Sequence, residues 1–217
     1  MSPGRFRWEG LSFAAAGIAF VAKAFFDFKA GKPPADGARL LGWVSDEKFA
    51  LSMSDELLVI ASVLMTPGLV GLYRSLRGAP RRGATAGSAI LAATIPVLIT
   101  VSVFGGRLVF PVYDIKITDP DTAKLTAALY FGGQHAALLI LGVAIFALSL
   151  ALQGIPKGRK VGLLGLVTAI ATIAGSYPDV IGVRLTLLTA VLLGAWFVAV
   201  GAHLSRNIAP NAARSER

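Results

Sequence analysis

The sequence predicts an all-α, six-helix integral membrane protein, with both termini cytoplasmic and residues 1–217 forming one transmembrane domain. Three observations lead there. Hydrophobic residues make up 55% of the 217 positions and charged residues only 15%, with a mean hydropathy of +0.69; an ordinary soluble domain is about 45–50% apolar and about 25% charged. Long stretches without Asp, Glu, Lys or Arg recur along the chain. The basic residues gather at alternate ends of those stretches. Such a composition cannot clothe a water-soluble globule in polar surface. That excludes a soluble enzyme, a disordered chain and a DNA-binding domain.

The charge-free runs are 57–73, 83–106, 125–156, 161–178 and 185–205, and a sixth, 10–26, is interrupted only by Lys23. A spanning helix takes roughly 20 mostly apolar residues, within a range of about 17–25. In hydrocarbon the backbone N–H and C=O groups find no partner outside the segment, so such runs are forced into helices. The expected spans are about 8–28, 54–76, 84–106, 124–152, 160–177 and 182–204.

Each element has its own punctuation. The first run competes with a signal peptide, because Arg5 and Arg7 precede it and Ala22-Lys23-Ala24 loosely fits a cleavage site. Glu9 and the apolar continuation through Phe25, Phe26 and Phe28 favour a retained helix, which Gly31-Lys32-Pro33-Pro34 ends. The 36–53 segment is expected to form a short interfacial helix, with Trp43 and Phe49 at the membrane surface. Ser54 before Asp55 and Glu56 reads as an N-cap followed by first-turn acids, which starts the second span there. Pro67 and Pro96 fall inside the second and third spans, where each removes a backbone hydrogen bond. Asp119-Pro120-Asp121-Thr122 opens the fourth, with a cap candidate and Pro near the first helical position. Ser176-Tyr177-Pro178-Asp179 turns the chain between the last two, and the spacings Gly165/Ala169 and Ala171/Gly175 predict close helix packing.

Orientation follows from the positive-inside rule. One side holds twelve basic residues (Arg5, Arg7, Arg74, Arg77, Arg81, Arg82, Lys157, Arg159, Lys160, Arg206, Arg214, Arg217) against the two acids Glu9 and Glu216. The other holds eight basic residues against ten acids, and Lys23 completes the total of 21. The first side is therefore cytoplasmic. Basic clusters at helix ends suit anionic lipid rather than a nucleic acid, despite the net charge of +9.

Orientation converts residue numbers into depth. Lys23 and Asp27 lie one turn apart in the outer half of the first helix, at ion-pair spacing. Arg107 ends the third helix on the same side. Thr126, Tyr130 and Gln134 recur every four residues as one polar stripe, with His135 about 100° around the helix from Gln134. The expectation is an outward-facing polar cluster of Lys23, Asp27, Arg107, Tyr130, Gln134 and His135 above an inner half with little polar chemistry. Bland roles compete at each position: a snorkelling pair for Lys23 and Asp27, a helix-end anchor for Arg107, an interhelical hydrogen bond for Gln134 and His135, and an interfacial place for His203.

No catalytic signature accompanies the cluster. Cysteine is absent, which removes disulfides, thiolate nucleophiles and thiolate-ligated metals. No His-Glu-x-x-His, Gly-x-Ser-x-Gly, Walker loop or Gly-x-Gly-x-x-Gly occurs. The expectation is a non-catalytic membrane module without metal or cofactor. It binds a small or lipidic ligand, or a partner subunit or second copy of itself, with proton or solute transport as the alternative. Over residues 8–76 the layout resembles the uncharacterised bacterial membrane proteins grouped as DUF4386. The shared features are a first helix opening Trp8-Glu9-Gly10-Leu11-Ser12-Phe13, an outer Asp36-Gly37-Ala38-Arg39-Leu40-Leu41 segment, and a second helix closing Gly71-Leu72-Tyr73-Arg74-Ser75-Leu76. The resemblance implies a bacterial cytoplasmic-membrane architecture and no activity.

Overall fold

A computed structural model describes residues 4–76, 81–155 and 157–206. The helices run α1 Gly4–Ala30, α2 Gly37–Asp46, α3 Lys48–Ser75, α4 Arg81–Val109, α5 Pro120–Gln153, α6 Arg159–Gly175, α7 Pro178–Ile181 and α8 Val183–Arg206. Five of them, α1, α3, α4, α5 and α8, are long and apolar enough to cross a membrane, which marks a multi-pass membrane protein. At 17 residues and about 26 Å, α6 is shorter than a typical hydrocarbon core. Residues 77–80 and 207–217, which carry part of the basic set expected to be cytoplasmic, lie outside the described residues.

The breaks have local causes. Gly31 takes φ +75°, a left-handed conformation that costs glycine nothing, and α1 stops there. Gly182, at φ +79°, separates α7 from α8 in the same way. At the start of α5 the Asp119 carboxylate accepts from the Thr122 backbone N–H and from its hydroxyl, both at 2.7 Å, with Pro120 in the first turn. Those bonds, the hydroxyl's foremost, hold the Asp119 carboxyl below the usual carboxylate range. A carboxyl lowered on folding stabilises above its unfolded pKa, and that stabilisation is lost as pH falls through the folded value. Asp119→Ala is therefore expected to speed amide exchange in the first turn of α5 at neutral pH. The difference from wild type should vanish in strong acid; equal exchange at neutral pH would remove the cap.

The second span corrects the sequence reading. The helix starts at Lys48, not near Ser54, and Glu47 at its N-cap makes no side-chain cap bond. Nothing between Lys48 and Met53 breaks a helix. Buried positions Ala50, Ser54, Leu58, Ala61 and Met65 follow a helical period straight through the supposed cap.

Six long helices form a closed ring. Each packs on its neighbour in the order α1, α3, α4, α5, α6, α8, and α8 closes back onto α1. The outer surface of the ring is apolar: Ile18, Ile60, Val63, Val103, Val143, Leu163, Val167, Ile170 and Leu188 are exposed, as lipid contact requires. Lipid tails are as apolar as leucine, so the helices associate through close packing rather than hydrophobic exclusion. Small residues supply it. Gly17 faces Gly194 and Gly10 faces Gly201 across the α1–α8 seam, two glycines seven residues apart on each antiparallel helix. Phe13 lies flat against Gly68 of α3 and stacks on Phe197 with centroids 4.6 Å apart. The predicted close packing of α6 also appears, with Gly165 against Ser149 and Trp196 and Gly175 against Thr189.

Around the mouth of the ring, α2 lies over α3, α4 and α5, with Leu40 packed among Ala123 and Ala127. Trp43, expected at the membrane surface, is half-buried and donates its indole N–H to the Ala30 carbonyl at the end of α1, at 2.8 Å. Phe49 is exposed as expected and packs on Phe26, with the Lys29 ammonium 5.9 Å from its ring centroid.

Candidate functional site

Inside the ring, at the level of Lys23, lies a cavity of about 80 Å³ to which all six long helices contribute. Phe20, Lys23, Ala24 and Asp27 come from α1, Leu58 from α3 and Leu98 from α4. Gln134 and Leu138 come from α5, Thr172 and Gly175 from α6, and Thr186, Thr189, Ala190 and Leu193 from α8. The ring closure builds this cavity; no pair of helices alone could.

Its charged wall is the predicted α1 pair. The Lys23 ammonium donates to Asp27 Oδ2 at 2.5 Å across one helical turn. The Ser54 hydroxyl of α3 donates to the other oxygen, Asp27 Oδ1. Both carboxylate oxygens are thus engaged. Lys23 is buried, whereas the Asp27 side chain is 41% exposed, so the pair connects the interior to the outer end of the ring. The ammonium is the more deeply buried member of the pair.

The polar wall facing it is unfinished. Gln134 and Thr172 line the cavity, and their buried Nε2 and Oγ1 have no hydrogen-bond partner among the described residues. A buried donor left unmatched costs about 1–3 kcal/mol. The rest of the lining is hydrocarbon, and Leu58, Leu98, Leu138 and Leu193 surround the polar groups with apolar walls.

Tyr130 is buried on the other flank of the pair, its ring against Gly105 of α4 and its phenol beside Ser54. The structure therefore brings together Lys23, Asp27, Tyr130 and Gln134 and leaves out Arg107 and His135. The Arg107 guanidinium folds back onto its own loop, donating to the Phe110 carbonyl at 3.4 Å and the Ile115 carbonyl at 3.3 Å. It clamps the turn in which Tyr113 and Asp114 hold positive φ. His135 points to the α6–α7 turn: its Nδ1 lies 2.8 Å from the Ser176 carbonyl, and its ring meets Tyr177 edge-on at 4.6 Å. The 100° rotation from Gln134 separates them, since Gln134 faces the axis and His135 the seam with α6. Thr126, the outermost member of the stripe, bonds back to its own helix at Thr122.

Two features escaped the sequence reading. Asp55 is buried at 6% exposure against Gly105 and Gly106 of α4 rather than serving at a helix start. The unbroken helical period from Ala50 to Met65 was the signal that would have found it. At the opposite end of the ring, Glu9 is buried and its Oε1 accepts from Arg74 Nη1 at 2.8 Å, an ion pair joining α1 to α3. The end of the ring expected to be inner therefore carries more polar chemistry than the sequence reading gave it. His203, expected at the interface, is likewise buried there. No family model, curated protein or solved structure matches the chain.

Proposed function

We propose that the chain is a six-crossing protein of a bacterial cytoplasmic membrane, with both termini cytoplasmic, that binds a small ligand in the axial cavity without transforming it. The observation that carries this reading is the unfinished polar wall: Gln134 and Thr172 line a largely apolar cavity, their Nε2 and Oγ1 have no hydrogen-bond partner among the described residues, and the charged pair beside them is already satisfied. Pockets of this composition, mostly hydrocarbon with a few convergent polar groups, fix a ligand's orientation through those groups. The fitting ligand is small and largely apolar, carrying a hydroxyl or amide to meet Gln134 and Thr172.

Counting α6 as the sixth crossing rests on its exposed apolar stripe, Leu163, Val167, Ile170 and Ile173, and on its place in the ring. With six crossings both termini fall on one side, and the charge asymmetry assigns that side to the cytoplasm. The likeness of residues 8–76 to DUF4386-type proteins supports the same architecture. The absence of cysteine allows a clean check, because single-cysteine variants label without background. Asp114→Cys should react with a membrane-impermeant maleimide in intact cells and Lys157→Cys should not; the reverse pattern inverts the topology.

The ligand is tested by thermal shift against small alcohols and amides. A compound present at about 100 times its Kd adds about 2.7 kcal/mol of stability. That rise in Tm is expected in the wild type and is expected to be lost in Ala190→Leu, which fills the cavity, and in Gln134→Leu. Equal shifts in all three proteins would place the binding elsewhere. Transport is the second reading, favoured by the half-exposed Asp27 that joins Lys23 to the outside. Flux into proteoliposomes that disappears with Asp27→Asn would promote it over simple binding.

A further inference from the structure

Asp55 lies outside the axial cavity, and the ligand-binding reading does not use it. Its side chain is buried between α3, α4 and α5, and its Oδ1 has no hydrogen-bond partner among the described residues. The missing Cβ atoms of Gly105 and Gly106 make room for the carboxyl: a Cβ on Gly105 would stand 2.5 Å from Asp55 Oδ1, and one on Gly106 would stand 3.1 Å from Oδ2. Beside it is a void of about 10 Å³ bounded by Trp43, Gly105, Tyr130 and Phe131. That is close to the space one water requires.

Every element packed around Asp55 contributes to its charge balance. From α1 come Lys23 and Asp27, and from α5 the Tyr130 phenol. Glu56, its exposed neighbour on α3, adds a further acid. From α2 comes Trp43, which carries no charge, and α4 presents the two glycines, with Arg107 turned away onto carbonyls of its own loop. Lys23 is the one cation of this group and is bonded to Asp27 at 2.5 Å. With Glu56 exposed, the two remaining carboxylates, Asp27 and Asp55, and the one ammonium leave one negative charge in excess. Uncompensated charge at depth in a membrane costs several kcal/mol. The void is too small for a metal ion with a full oxygen shell, which needs about six ligands, and Lys23 repels cations.

We propose that Asp55 is a proton-binding site inside the membrane, exchanging one proton through a single water held against it and Tyr130, with the Trp43 ring closing the void. On uptake, a hydronium ion gives its proton to Oδ1 and is left as water; release reverses the step, with water as acceptor. The protonated site is neutral beside the Lys23–Asp27 pair, and the ionised site adds one charge to the α3–α4–α5 seam.

Infrared difference spectra of the full chain in nanodiscs test this, recorded across about pH 3 to pH 9 in H₂O and D₂O. The wild type is expected to show a pH-dependent, deuterium-sensitive carboxyl C=O band that is lost in Asp55→Asn and kept in Asp27→Asn. Should Asp55→Asn fail to fold, Asp55→Glu gives the same test through a displaced band. Gly105→Ala, whose methyl would displace the Asp55 carboxyl and the Tyr130 ring, is expected to move the midpoint of the titration. A carboxyl band identical in wild type and Asp55→Asn, an unmoved band in Asp55→Glu, or a band that answers to sodium at fixed pH would overturn the proposal. None of these outcomes depends on whether the axial cavity binds a ligand.

Discussion

Lys23→Met is expected to destabilise the protein by about 1–3 kcal/mol, below the about 3–5 kcal/mol for a fully buried ion pair because the Asp27 left behind is 41% exposed. Methionine matches the lysine stem, so packing against Phe20 and Ala24 is largely kept and the effect isolates the charge. What remains is Asp27 with only Ser54 on one oxygen, and Asp55 with no cation near it. Asp27→Asn in the same chain should restore most of the loss, because an amide and a thioether carry no charge to strand. The measurement is denaturant or thermal unfolding in matched nanodiscs. A Lys23→Met protein within about 0.5 kcal/mol of wild type, the spread of ordinary surface changes, would show that the pair is fully solvated. The double variant distinguishes charge from shape: if it is no better than Lys23→Met alone, the lysine acts through packing.

Gly17→Ile is expected to cost about 3 kcal/mol, the upper end of the usual range for overpacking. A Cβ at position 17 would lie 2.6 Å from the Gly194 carbonyl oxygen and 2.7 Å from Phe197 Cβ. The first of these is backbone, so relief requires α8 to move as a unit. That movement would pull Phe197 off Phe13 and Phe20, whose rings lie 4.6 Å and 5.5 Å from it. The opposing wall of the axial cavity, Thr186 to Leu193, rides on the same helix, so the damage extends to the site. Gly132→Ala is the matched control. Gly132 also sits inside a helix, but nothing lies within 4 Å of where its Cβ would be. There the alanine should be neutral or stabilising by up to about 1 kcal/mol, through helix propensity alone. Equal effects at 17 and 132 would mean that α1 and α8 do not meet closely.

Much of the secondary structure was legible along the chain. Apolar run length marked the long helices, and Gly31, Asp119 and Pro120 marked ends that the structure keeps. The start of α3 was misread because Ser54-Asp55-Glu56 has the composition of a helix start. Its meaning changes once Ser54 is bonded to Asp27, twenty-seven residues away. Half-legible is also the state of the site. Lys23 and Asp27 are one turn apart on a single helix, so their pairing follows from helical geometry. Gln134 joins them and His135 does not, and that difference depends on how α5 is rotated about its axis against α4 and α6.

By itself, then, the sequence determined an all-helical chain with segments long and apolar enough to span a membrane, because an apolar run without outside partners must satisfy its backbone internally. Only the tertiary structure decided that six helices close into a ring, that Asp55 and Glu9 are buried, and that a cavity forms beside Lys23. Those outcomes turn on helix rotation and approach, which are set where glycines such as Gly17 and Gly194 let backbones touch. Such contacts join residues far apart in the chain, and no periodicity within one segment specifies them.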